Sequence, residues 1–103
     1  MVGTGFATVL LGAIALAPAA CAVDDASYEA GWVTGVGWAT NLLPNAGPVG
    51  IPDAEVAATC PSLARTAEAT ATYYFQGGRI PGAQISHPDF VDGCVDGANS
   101  VIG

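Results

Sequence analysis

A chain of 103 residues has room for one small domain, and its net charge of −7 disfavours electrostatic binding to nucleic acid or anionic lipid. Apolar residues make up 51% of it, but many are alanine, so few side chains are large enough to anchor a core. With an N-terminal signal removed, about 80 residues would remain, a size at which a covalent staple adds much to a small core.

The chain opens on MVGTGFATVLLGAIALAPAAC. Phe6 to Leu16 has the character of an apolar signal core, and Leu16 to Ala22 offers small residues for cleavage. No Lys or Arg precedes that core, and an upstream start codon would account for the lack. Three fates are open. Signal peptidase can cut after Ala19 or Ala22, giving a signal of residues 1–22 and a domain of residues 23–103. Pro18-Ala19-Ala20-Cys21 resembles a bacterial lipobox, which would make 1–20 a lipoprotein signal and Cys21 a lipidated first residue. Uncleaved, the charge-free run Val2 to Val23 just reaches the roughly 20 residues that span a bilayer. All three place the domain outside the cytoplasm, touching membrane only through its N-terminus.

Three helices are expected after Cys21, over about residues 25–43, 53–76 and 87–102. In the first, Tyr28, Trp32, Val36, Ala39 and Leu43 recur at helical spacing and are expected to face inward. Alternation of Trp32, Thr34, Val36 and Trp38 supports a rival strand, but the apolar face persists to Leu43. Gly31 and Gly35 form a small-xxx-small pair that lets another helix approach closely. Pro44 to Pro52 is a loop. Asp53 is the expected N-cap of the second helix, whose inward face would be Val56, Cys60, Leu63, Ala64, Ala67, Ala71, Tyr74 and Phe75. Pro61 should kink or restart it, and Gly77-Gly78 should end it. After a loop at Arg79 to Ile85, Ser86 caps a third helix with Pro88 in its first turn. There Phe90, Val91, Cys94, Val95, Ala98, Val101 and Ile102 share one side.

The three cysteines make an odd count, which cleavage after Ala22 or lipidation of Cys21 would resolve. Cys60 and Cys94 remain on the inward faces of their helices, and export permits a disulfide between them. The alternative is a pair of buried free thiols. The fold expected is therefore an all-α, three-helix domain with one disulfide behind a signal segment.

Few residues suggest chemistry. Asp89, Asp92 and Asp96 stack along one helical face without the loop spacing of an EF-hand, and read as a solvated face. His87 is the lone histidine and has no partner legible from spacing. No metal site, cofactor or catalytic set is expected, so the chain does not read as an enzyme. Trp38 and Tyr73 fall outside the main apolar arcs and are the candidate exposed aromatics for contact with a partner protein.

The Ala-rich signal, Tyr28-x-x-Gly31, the mid-chain Cys60 and the segment Phe90-Val91-Asp92-Gly93-Cys94-Val95-Asp96-Gly97 together resemble small exported or lipoprotein-like proteins of actinobacteria and their phages. That resemblance implies location rather than activity. The expected function is a non-catalytic interaction module of the cell envelope or extracellular space. The alternative is a carrier of a small apolar ligand or haem, with Tyr28 and His87 as first candidate ligands.

Overall fold

The computed structural model describes residues 25–103, so the signal segment and the possible lipidation site at Cys21 lie outside the described residues. The chain forms helix α1 (Asp25–Leu42), a 3-10 turn (Leu43–Asn45) and helix α2 (Asp53–Glu68). Strands β1 (Thr72–Phe75) and β2 (Gly78–Pro81), a second 3-10 turn (Gly82–Gln84) and helix α3 (His87–Ile102) follow. Among the described residues the fold is mostly helical with three helices, as expected, but it also carries a two-stranded antiparallel sheet.

Glycine decides how α1 meets α3. The buried residues of α1 are Ser27, Ala30, Gly31, Gly35 and Ala39. The stripe at 27, 31, 35 and 39 lies one residue behind the expected Tyr28, Trp32 and Val36 face, and Trp32 is 37% exposed rather than core. Across from it lie Gly93 and Gly97 of α3, both buried. A Cβ built on Gly35 falls 2.9 Å from the carbonyl carbon and Cα of Cys94, and closer still to its oxygen. One built on Gly93 falls 2.9 Å from the Tyr28 carbonyl carbon and the Trp32 nitrogen, and one on Gly97 falls 3.0 Å from the Trp32 carbonyl carbon. Backbone therefore packs on backbone in both directions. Such proximity suits Cα–H···O contacts and leaves the bulky side chains to flank the seam. Gly93 faces Tyr28 and Gly97 faces Trp32, four residues on in both helices, so α1 and α3 run parallel.

Helix α2 runs antiparallel to this pair. It is joined to α3 by the Cys60–Cys94 disulfide, with Cα atoms 5.7 Å apart. Both cysteines are fully buried, among Ala64, Ala67, Ala98, Val56 and Phe90, the largest fully buried side chain. A core of alanines buries little area per residue, which makes the crosslink a large part of what holds α2 in place. The helix starts from Pro52, whose carbonyl accepts from the Glu55 and Val56 amides, so Asp53 is its first residue rather than its cap. Pro61 sits inside it without breaking it. The carbonyl deprived of a donor belongs to Ala57, an exposed residue where water can serve it.

The second helix stops at Glu68, not near residue 76. Thr70 closes it, its amide and hydroxyl both donating to the Ala67 carbonyl at 3.2 and 2.7 Å. Gly82 then packs on the helix end, where a Cβ would come within 2.9 Å of the Ala67 oxygen and 2.8 Å of that of Glu68. Thr72-Tyr73-Tyr74-Phe75 is β-branched and aromatic, and it pairs with Gly78–Pro81 through a turn at Gln76-Gly77. Gly77, at φ +98°, supplies the left-handed backbone that this turn needs. What reads as a helix-ending Gly-Gly is thus the second turn residue and the first residue of β2.

Candidate functional site

Period two replaces period 3.6 in this hairpin, which exchanges the roles of its two tyrosines. Tyr73 faces inward. Its hydroxyl lies 2.6 Å from Thr34 Oγ1, and its ring meets Phe90 edge-on at 5.8 Å. Thr34 already donates its single hydroxyl proton to the Ala30 carbonyl at 2.7 Å, so Tyr73 is the donor to Thr34. This relay fixes the hairpin to α1. Tyr74, expected in the core, is instead 72% exposed on the outer face beside its cross-strand neighbour Arg79. Trp38 is partly buried and packed against the core. Among the described residues the exposed aromatics are therefore Tyr74 and Trp32, and not Trp38 and Tyr73. Strand alternation from Thr72 to Phe75, ahead of Gln76-Gly77, was the signal that could have found Tyr74.

The hairpin also differs in charge from the rest of the molecule. From Ala69 to Pro88 there is no acidic residue, and Arg79 is one of only two arginines in the chain. The nine acids all lie outside that stretch. Acids from outside the stretch still reach it: Glu68 contacts His87, and the Glu29 carboxylate lies 3.8 Å from where a Cβ on Gly77 would be.

Two candidate ligands are occupied by neighbouring carboxylates. His87 Nδ1 lies 2.5 Å from Glu68 Oε2, tying the start of α3 to the end of α2. Beside it, the Ser86 amide donates to the fully buried Ser27 Oγ at 2.8 Å, and the Ser86 hydroxyl donates to Asp89 at 2.9 Å. Ser86 caps α3 by position, but its own side chain does not bond the helix backbone. Tyr28 donates to Asp96 Oδ2 at 2.6 Å. Neither Tyr28 nor His87 lines the two surface grooves described next.

The first groove, of about 290 Å³, lies between α2 and α3 over Val56, Ala57 and Val95, with Asp53 and Asn99 at its rim. The second, of about 440 Å³, is bordered by Leu42, Val49, Ile51 and Glu55 around the α1–α2 loop. The backbone seam between α1 and α3 leaves no width for a flat macrocycle there. Among the described residues, no cluster of three His, Cys, Asp or Glu side chains is placed to hold a metal ion. Also among them, no helix is long and apolar enough to cross a membrane.

The Tyr28–Asp96 bond carries a pH prediction. Donation to Asp96, with desolvation and the charges of Asp96 and Asp92, holds the Tyr28 phenol above its ordinary value. The folded-state value lies above the unfolded one, so the stabilisation is complete below the ordinary phenol range and is lost as pH rises through the raised value. Phenolate absorbance should show one late-titrating tyrosine, and Asp96→Asn should return it toward the ordinary range. A tyrosine titration unaltered by Asp96→Asn would contradict the assignment. Compared with known protein families, curated proteins and solved structures, the chain matches none, which leaves its own surface to indicate what it does.

Proposed function

We propose that the chain is an exported, non-catalytic interaction module that presents the outer face of its hairpin to a protein partner. The observation that carries this is Tyr74, a large aromatic 72% exposed on a strand whose other face is fastened to α1 and α3. An aromatic held out on a rigid element loses little conformational freedom on binding, which is why Tyr is enriched at interface centres. The buried disulfide supports an oxidising setting, and the apolar N-terminal segment supports export.

Site-specific photo-crosslinking in the native cell tests this reading. A photoreactive residue at position 74 of the full chain should yield protein adducts in the extracytoplasmic fraction, and one at the exposed Thr40 of α1 should not. Retention in the cytoplasm, or an absence of adducts at position 74, would overturn it.

A further inference from the structure

The hairpin has two edges, and the register shows that they are not equivalent. Thr72 pairs with Pro81, Tyr73 with Ile80, Tyr74 with Arg79 and Phe75 with Gly78. One step further, the Gly82 amide donates to the Ala71 carbonyl at 3.2 Å. Antiparallel pairs alternate between bonded and non-bonded, so Ala71, Tyr73 and Phe75 direct their backbone groups toward β2. Thr72 and Tyr74 direct theirs away. Neither residue's backbone takes part in a turn, loop or cap hydrogen bond among the described residues.

On β2 the outward positions are Arg79 and Pro81. Proline has no N–H, and a charged side chain discourages strand addition, so this edge carries two of the usual guards. Thr72-Tyr73-Tyr74-Phe75 carries none: no charge, no proline and no glycine. Only its four-residue length limits it, and its β propensity is high.

We propose that this β1 edge pairs antiparallel with the β1 edge of a second copy of the chain, joining two hairpins into a four-stranded sheet. The inference rests on the interaction-module reading and names its partner. A register centred on Tyr73 sets Thr72 opposite the partner's Tyr74, and Tyr74 opposite the partner's Thr72. Both outward residues of each copy are then bonded, and each exposed tyrosine gains a β-branched neighbour across the strands. Charge favours the same approach. Two copies at −7 repel over most of their surfaces, and the acid-free stretch from Ala69 to Pro88 is where they meet at least cost.

The test is sedimentation of the protein, purified from the compartment to which it is exported, over a concentration series. A reversible monomer–dimer equilibrium is expected. Tyr74→Pro removes an outward N–H without touching the β1–β2 bonds, so it should abolish dimerisation while the melting temperature of the monomer is kept. Arg79→Pro makes the equivalent change on the opposite edge and should leave the equilibrium in place. In the unaltered protein, the Thr72 and Tyr74 amides should become slow to exchange with rising concentration, and the Arg79 amide should not. A monomer at every concentration, or a dimer that Tyr74→Pro does not weaken, would overturn the proposal. Crosslinks from position 74 to a different protein alone would overturn the second copy as occupant while leaving the interaction-module reading intact.

Discussion

Replacing Gly35 by alanine should cost the fold about 3 kcal/mol, out of proportion to the addition of one methyl group. The new Cβ would lie 2.9 Å from the Cys94 carbonyl carbon and Cα, and nearer still to its oxygen. These are backbone atoms of a helix held by a disulfide, so no rotamer change can make room. The two helices must separate, and the contacts of Ala30, Ala39 and Ala98 along the seam loosen together. Gly37, two residues along the same helix, supplies the control. Nothing lies within 4 Å of a Cβ built there, and its backbone is helical. Gly37→Ala should therefore stabilise by about 0.5–1 kcal/mol through helix propensity alone. Thermal or urea denaturation of both variants reads the opposite signs directly. A Gly35→Ala protein as stable as the parent would mean that α1 does not pack on α3 as described.

Removal of the Cys60–Cys94 bond should have an effect at least as large. The two cysteines are 34 residues apart, and closing a loop of that size is worth about 3–4 kcal/mol in the chain-entropy treatment. For a domain of this size that corresponds to a fall of about 15–30 °C in melting temperature. Cys60→Ala, Cys94→Ala and reduction of the unaltered protein should agree closely, since each removes the same constraint. Differential scanning calorimetry with and without reductant checks this. A melting temperature indifferent to reductant would show that the alanine-rich core holds α2 unaided.

These two effects lie at different depths in the sequence. The pairing of Cys60 with Cys94 was legible because export, cysteine count and helical spacing all pointed to it. The bounds of α1 and α3 were legible for a similar reason, since breakers and an N-cap position frame them. The inward face of α1 was not. Hydrophobic periodicity ranks side chains by size, and the closest helix contact here is made by residues with almost no side chain. Gly31 and Gly35 signalled a close approach, but that Gly93 and Gly97 would meet them depends on tertiary geometry. The hairpin was missed because Val56, Cys60, Leu63, Ala64 and Ala67 set a helical rhythm into which Ala71, Tyr74 and Phe75 also fall. Only the clustering of β-branched and aromatic residues before Gly77 opposed it. With the hairpin went the exposure of Tyr74, and so the candidate contact surface. The Glu68–His87 contact joins the end of one helix to the start of another across the hairpin, beyond the reach of spacing arguments.

The parallel seam also bears on how fast the chain can fold. Helix α1 leads the described chain and α3 ends it, so their main interface joins segments far apart in sequence. Most small helical proteins fold quickly because their contacts are local, and loop closure must precede any gain from contacts that are not. Here α1 is synthesised before the partner on which it packs. Its three interior glycines disfavour helix in isolation, so α1 is expected to become stably helical only when α3 is available to pack on it. Folding is therefore expected to be slower than in an up-and-down bundle of similar length, with α1 among the last elements to become fixed.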